Sequence, residues 1–311
     1  MTDTGRQVQA LQENIGKAFL GKNAAVRLCL TAFFSGEHIL LEDVPGVGKT
    51  LLAKSLARSV RGSFHRLQFT PDLLPADITG SSIFDVKKQE FTFVPGPVFT
   101  NVLLADEINR TTPRTQSSLL EAMSDSQVSV DGTTHALPSP FFVIATQNPN
   151  EFEGTYPLPE SQMDRFQLRI SPGYPDRNSA LELMERHQFG DPVDELEPVL
   201  SMEQVVAIQQ QVRKVQVDTA IRNYILDLVD ATRVDPRLYL GVSVRGTLAL
   251  ERAVQAWAFI AGRDYVVPDD VKELAIPTLS HRLLLRNATF RGGDGADAIV
   301  KDLLARLPTP V

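Results

Sequence analysis

The chain has 311 residues, of which 43% are hydrophobic and 22% are charged, a composition typical of a globular protein with a buried core. Its 31 basic and 38 acidic residues give a net charge of −7, which argues against nucleic-acid binding because that affinity comes mainly from clustered lysines and arginines. The single cysteine, Cys29, excludes an intramolecular disulfide, and the five scattered histidines argue against a zinc site.

The first part of the chain predicts two helical stretches followed by a strand, a loop and another helix. Residues 6–35 carry apolar side chains at helical spacing, interrupted at Gly21. The apolar run His38–Leu41 is typical of a buried strand. A turn rich in glycine and proline, Asp43–Gly48, and a helical pattern over Lys49–Val60 then complete a strand–loop–helix unit.

Two more buried strands are predicted further along the chain. Asn101–Ala105 is apolar and ends at Asp106 and Glu107, and Phe141–Ala145 is similar in character. Between them, Thr112 followed by Pro113 marks a helix start. Strands that alternate with helices predict an α/β fold with a parallel sheet.

Two hairpins are predicted to interrupt this pattern, at Ile83–Val98 and at Val128–Leu137, the second with Asp-Gly as its tight turn. Beyond residue 172 helical patterns dominate. We place a domain boundary near Pro172–Pro175, which divides the chain into 1–172 and 173–311. The predicted helices of the second part are 177–189, 201–213, 218–233, 244–261 and 268–285.

The loop after the first strand matches the phosphate-binding pattern GxxxxGK[ST], except that Asp43 stands at the first glycine position. Gly46 and Gly48 permit close approach of backbone N–H groups to phosphate at a helix N-terminus. Lys49 can reach the β- and γ-phosphates, and the Thr50 hydroxyl can ligate Mg²⁺. The residues predicted to bind ATP are Asp43, Val44, Pro45, Gly46, Val47, Gly48, Lys49, Thr50 and Leu51.

Polar residues at strand ends and two arginines are the other candidates for phosphate chemistry. Asp106 can hold the hydrated Mg²⁺, and Glu107 beside it can polarise the attacking water. Asn148 could position that water, although Asn-Pro is also a common turn starter. Arg165 and Arg245 suit stabilisation of a transferring phosphoryl group, and a plain surface role remains open for both.

Taken together, these motifs resemble those of the AAA+ ATPases, specifically the MoxR family, over nearly the whole chain. The stretches that carry the resemblance are LLEDVPGVGKT (40–50), QFTPDLLPADITGSSIFD (68–85), PGPVFTNVLLADEINRTTPRTQSSLLEAM (95–123), ATQNPNEFEGTYPLPESQMDRF (145–166) and GVSVRGTLAL (241–250).

The resemblance implies a P-loop AAA+ core with a parallel sheet and flanking helices, followed by a smaller all-helical lid domain. It implies that 43–50 is Walker A, that Asp106 and Glu107 form Walker B with Glu107 as catalytic base, and that Asn148 is sensor 1. Arg165 resembles an arginine finger that acts on a neighbouring subunit's ATP. Arg245 resembles sensor 2, although Val244 replaces the proline that commonly precedes it.

The same resemblance implies ATP and Mg²⁺ as cofactors, a ring that is usually a hexamer, and a chaperone-like role. The expected client is a protein with a von Willebrand factor A domain, and the two hairpins would face the pore or the partners. Three alternatives stay open: a nucleic-acid motor, a metal-chelatase subunit, and a scaffold that binds ATP without turning it over. A polar N-terminal segment, with no apolar run near the roughly 18 residues that span a bilayer, predicts a cytoplasmic protein without membrane insertion.

Overall fold

A five-stranded parallel sheet forms the centre of the fold, with strand order β2-β5-β8-β1-β9. The computed structural model describes residues 3–44, 46–87, 89–148, 154–188, 190–286 and 293–310. The strands are β1 (His38–Glu42), β2 (Phe64–Gln68), β3 (Gly80–Asp85), β4 (Glu90–Pro95), β5 (Val102–Asp106), β6 (Gln127–Val130), β7 (Thr133–Ala136), β8 (Phe142–Gln147), β9 (Phe166–Ile170), β10 (Leu238–Leu240) and β11 (Leu284–Leu285).

Helices cover both faces of the sheet, and the later helices of the chain form the helical lid. They are α1 (Asp3–Ala18), α2 (Asn23–Ser35), α3 (Lys49–Ser59), α4 (Pro75–Thr79), α5 (Pro113–Asp125), α6 (Glu160–Met163), α7 (Arg177–His187), α8 (Met202–Val212), α9 (Thr219–Val234), α10 (Val244–Ile260), α11 (Pro268–Leu279) and α12 (Gly293–Arg306). Within the described ranges, none of these helices combines the length and apolarity needed to cross a bilayer.

The two faces of the sheet belong to different parts of the hydrophobic core. On β5, Leu104 packs with α1, α2 and α3, whereas Leu103 and Ala105 pack on the side of α5. This alternation is the period of two expected of a strand that is buried on both sides. Cys29 lies in the first of these parts, with Leu104, where burial raises the pKa of its thiol to about 12.

The helical lid packs on α2 and shares its core with the first part of the chain. Leu250 on α10 and Ile221 on α9 belong to the same buried cluster as Phe33 on α2. The lid also contains a short antiparallel ribbon, β10–β11, that the sequence analysis missed. The helix predicted over 268–285 ends earlier, at Leu279, and a 3-10 turn leads into β11.

Strand β9 was also missed, because polar residues break its apolar pattern. Gln167 is buried and donates to the carbonyl of Ala249 on α10, and Arg169 forms ion pairs with Glu42 and Asp297. These side chains join the edge of the sheet to the lid. A buried polar residue with a remote partner is invisible to sequence periodicity.

Both predicted hairpins are present. β6 and β7 turn at Asp131 and Gly132, which have φ values of 50° and 78°, the left-handed conformations that a tight two-residue turn needs. β3 pairs with β4 in the other hairpin. The two hairpins meet where the Phe93 ring stacks on His135, with ring centroids 3.9 Å apart.

Candidate functional site

The loop between β1 and α3 has the geometry of an anion cradle. Gly46 and Gly48 have φ values of 83° and 84°, a backbone region that favours glycine. Gly48 is the N-cap of α3, and a Cβ added there would lie 3.1 Å from the ring of Phe19. The loop therefore presents the N-terminus of α3, where unpaired backbone N–H groups favour negative charge.

Lys49 is the first residue of α3 and its ammonium group is held inside the loop. Its Nζ atom donates to the Asp43 carbonyl at 2.7 Å and to the Gln147 carbonyl at 3.3 Å. Burial lowers the pKa of Lys49, and the carboxylates of Asp43 and Asp106 oppose that effect. The lysine is thus placed between the phosphate loop and the carboxyl end of β8.

Asp43, which departs from the glycine of the usual pattern, joins the loop to the chain segment that leads into the lid. Its Oδ1 atom accepts from the backbone N–H of Val44 at 2.7 Å. Its Oδ2 atom accepts from the Ser171 hydroxyl at 2.9 Å and from the Gly173 N–H at 2.6 Å. The carboxylate therefore holds two separate segments of the chain together.

Lys22 also joins the phosphate loop to the segment that leads into the lid. Its Nζ atom donates to the Val47 carbonyl at 2.7 Å and to the Gly173 carbonyl at 2.6 Å. Burial lowers the pKa of Lys22, and Asp43 opposes that effect. Both backbone polar groups of Gly173 are therefore held by charged side chains at the phosphate loop.

Asp106 ends β5 and is mostly buried. The Thr146 hydroxyl donates to its Oδ1 atom at 2.6 Å and accepts from the backbone N–H of Glu107 at 2.9 Å. Arg66 donates to its Oδ2 atom from Nη2 at 2.6 Å. The carboxylate orientation is thus set from both sides.

Glu107 has left-handed backbone angles, φ 58° and ψ 51°, which are uncommon for a residue other than glycine. Such strain concentrates at functional sites. Its carboxylate accepts from Gln68 Nε2 at 2.6 Å and pairs with Arg110 Nε at 3.2 Å. The side chain is therefore held at the cleft by residues from β2 and from the turn after β5.

A cleft of about 450 Å³ brings most of the predicted site residues together. It is lined by Gly46, Gly48, Lys49, Thr50, Leu51, Asp106, Glu107 and Asn148. Asp43, Val44 and Val47 form the loop behind this lining, where the carbonyls of Asp43 and Val47 accept from the two lysines. Pro45 lies outside the described residues.

Arg165 and Arg245 lie elsewhere, in a second cavity of about 440 Å³ that Arg252 and Arg282 also line. Arg165 donates to the Ser124 hydroxyl at 2.6 Å and to the carbonyl of Leu120. Neither of these two arginines lines the nucleotide cleft of the described chain. The predicted residues therefore form two groups within one protomer.

The chain matches the family model "ATPase family associated with various cellular activities (AAA)" over residues 38–168, and the AAA lid domain over 230–303. It is 48% identical to YeaC of Bacillus subtilis, covering 96% of this chain and 93% of that protein. It is 39% identical to the chaperone MoxR1 of Mycobacterium tuberculosis, covering 95% and 80%.

The chain belongs to the MoxR family of AAA+ ATPases.

The fold supports the same conclusion. The crystal structure of a protein from Cytophaga hutchinsonii superimposes with a TM-score of 0.91 at 38% identity, covering 99% of this chain and 96% of that one. As a MoxR-family protein, the chain has an α/β AAA core followed by a helical lid, and it binds ATP through the AAA domain. Membership of this ATPase family implies ATP hydrolysis and a chaperone-like role.

Sequence analysis missed several residues of this MoxR site, namely Lys22, Arg66, Gln68, Arg110 and Thr146. Arg66 and Gln68 are two positions apart on β2, so both side chains extend from the same face of the strand. The sequence shows this spacing of two polar residues. It points to the site only once β2 is known to pair with β5, which places Gln68 opposite Asp106.

Proposed function

We propose that this protein is a Mg²⁺-dependent ATPase that couples ATP binding and hydrolysis to remodelling or activation of a partner protein. In this proposal residues 1–172 form the nucleotide-binding domain and 173–311 the lid. The protomers assemble into a ring, a hexamer, in which each active site is shared between neighbours. The single buried cysteine suits a reducing compartment, and we place the ring in the cytoplasm.

The separation of two groups of residues carries this proposal. The cleft holds Lys49, Asp106 and Glu107, whereas Arg165 and Arg245 line the other cavity. Charge that develops on a transferring phosphoryl group is commonly stabilised by arginine, supplied either in cis or by a neighbouring molecule. A second copy would bring Arg165 and Arg245 to the cleft of the first, which accounts for assembly and activity together.

Thr50 and Asp106 are the residues that would hold Mg²⁺. They provide a hydroxyl and a carboxylate on one cleft, and Mg²⁺ prefers oxygen ligands of this kind. The bound ion would neutralise charge on the β- and γ-phosphate oxygens. Thr146 keeps the Asp106 carboxylate oriented through its 2.6 Å hydrogen bond, so the ligand is in place before nucleotide binds.

Glu107 would act as the general base toward the attacking water, and Asn148 would orient that water from the end of β8. Both side chains line the cleft. Glu107 would leave its 2.6 Å hydrogen bond with Gln68 to reach the water. Lys49 would bind the phosphates and release its two carbonyl partners. Positioning and charge, rather than covalent chemistry, would lower the barrier.

The proposed client is a protein with a von Willebrand factor A domain, which is the partner class that the MoxR resemblance implies. The β3–β4 hairpin supports a protein client because it exposes apolar side chains. Phe91 is 73% exposed and Val86 is 79% exposed, and the Phe84 and Phe91 rings pack edge to face. Exposed apolar groups of this kind are typical of protein contacts.

The first experiment compares wild type with Glu107→Gln. We expect ATP to bind with unchanged affinity while turnover falls at least a hundredfold, because the loss of a general base typically costs a factor on the order of 10²–10⁴. Glu121→Gln, on the exposed face of α5, is the matched control. Undiminished hydrolysis by Glu107→Gln would remove that residue from its role.

The second experiment tests the shared site. Arg165→Ala and Arg245→Ala are each mixed with Lys49→Ala, and activity should return in both mixtures because each partner supplies what the other lacks. Activity that stays absent in both mixtures would contradict a shared site. Wild-type turnover per protomer should also rise steeply with protein concentration. Stimulation by DNA, or by a porphyrin with partner subunits, would instead favour the alternative motors.

A further inference from the structure

Arg66 contacts the acidic end of β5, although it lies outside every motif that the sequence analysis identified. β2 pairs in parallel with β5, with Gln68 opposite Asp106, so Arg66 lies two residues before the end of its strand. Its side chain reaches forward to the Asp106 carboxylate. Nη2 lies 2.6 Å and Nε 3.2 Å from the same oxygen, Oδ2. Arg66 also lines the nucleotide cleft.

The two oxygens of Asp106 have different partners, one deeply buried and the other half-exposed. Oδ1 accepts from the buried hydroxyl of Thr146, whereas Oδ2 is covered by the guanidinium. The side chain of Asp106 is 13% exposed and that of Arg66 is 48% exposed. A carboxylate this buried needs a compensating positive charge. A half-exposed arginine can supply that charge and can still move away into solvent.

We infer that Arg66 is a positioning residue that occupies the Oδ2 atom of Asp106 until nucleotide and Mg²⁺ bind. This inference rests on the proposed function, since it assigns Asp106 as the metal ligand. Mg²⁺ takes oxygen ligands at about 2.1 Å in a near-octahedral shell. The ion, or a water molecule that it carries, would need the place that Arg66 Nη2 takes beside Oδ2. The two cations also repel each other, so Arg66 withdraws as the metal site assembles.

The exchange of Arg66 for Mg²⁺ at Asp106 sets the Mg²⁺ concentration that tight nucleotide binding requires. Arg66 keeps Asp106 paired and oriented in the nucleotide-free protein, and it opposes Mg²⁺ by the free energy of that ion pair. Removing the guanidinium therefore lowers the Mg²⁺ concentration required for tight nucleotide binding. The other cations that line the cleft, such as Lys49, are kept in every variant that is compared.

The test measures binding of N-methylanthraniloyl-ADP at stepped Mg²⁺ concentrations, so that no turnover is required. We compare wild type, Arg66→Met and Arg66→Lys, with Arg58→Met as control because Arg58 pairs with Asp194 on the surface instead. In Arg66→Met the half-saturating Mg²⁺ concentration should fall by about fivefold, the size of a partly exposed ion pair. Arg66→Lys should shift it less, and Arg58→Met should not shift it.

An unchanged or increased half-saturating Mg²⁺ concentration in Arg66→Met would overturn the inference. If that variant does not fold, Arg66→Lys carries the test, with a smaller decrease expected and the same refuting results. A wild-type protein that shows no Mg²⁺-dependent binding would refute the proposed function as well. Mg²⁺-dependent wild-type binding without a shift in the Arg66 variants would refute only the role of Arg66.

Discussion

Replacing Asp43 by alanine tests whether the departure from the usual phosphate-loop pattern is a structural anchor. The carboxylate accepts from the Val44 N–H, the Ser171 hydroxyl and the Gly173 N–H, at distances between 2.6 and 2.9 Å. Alanine removes all three contacts. The phosphate loop would then lose its direct side-chain link to the segment that enters the lid.

The expected magnitude follows from those contacts. A typical hydrogen bond contributes about 1 kcal/mol net, and bonds to charged groups contribute about 1.5–3 kcal/mol. Ser171 is exposed and can bond to water after the substitution, which places the loss near the lower values. We therefore expect Asp43→Ala to lower the free energy of unfolding by about 3 kcal/mol, on the scale of three typical hydrogen bonds. Asp43→Asn keeps one acceptor oxygen and should lose about half as much.

The assay is urea unfolding. It compares Asp43→Ala, Asp43→Asn and Ser171→Ala with the double variant that combines Asp43→Ala and Ser171→Ala. Ser171→Ala should cost about 1 kcal/mol in the wild type and nothing in Asp43→Ala, because the two residues share one bond. Asp227→Ala, at an exposed position on α9, is the control and should change stability by less than about 0.5 kcal/mol. Two results would refute the role of Asp43 as an anchor. One is that Asp43→Ala and Ser171→Ala lower the free energy of unfolding in a strictly additive way. The other is that Asp43→Ala lowers it no more than Asp227→Ala does.

Two further predictions concern the catalytic base and the response to acid. Gln68→Ala frees Glu107 from a 2.6 Å hydrogen bond and should raise kcat about fivefold, the equivalent of one bond of ~1 kcal/mol, with KM unchanged; an equal or lower kcat contradicts this. Burial lowers the pKa of His38 and of His281, so the unfolded chain takes up protons first and stability should fall as pH drops below about 6.5. The loss approaches ~1.4 kcal/mol per pH unit for each histidine. Urea unfolding near neutral and at mildly acidic pH measures this loss of stability. His281→Gln should flatten the dependence of the unfolding free energy on pH, whereas His65→Gln, at an exposed position, should not. Equal pH dependence in the two variants would refute the role of the buried histidine.

Several features of the fold could be predicted because their causes are local. The phosphate loop needs glycines with positive φ and a lysine at the helix start, and those residues are adjacent in the chain. The hairpin turn at Asp131 and Gly132 is set in the same way by two residues. Thr112 caps α5 and Pro113 follows it, as predicted, because both act through their own backbone.

Other features were decided only by the tertiary structure, because they depend on segments far apart in the chain. β9 is a strand of the sheet although Gln167 and Arg169 break its pattern, since both find partners on other elements. Arg66 reaches Asp106 across 40 positions of sequence because β2 lies beside β5. Sequence identified the residue types that phosphate chemistry requires. Strand order then determined which of them share one cleft, because the carboxyl ends of parallel strands meet at one edge of the sheet.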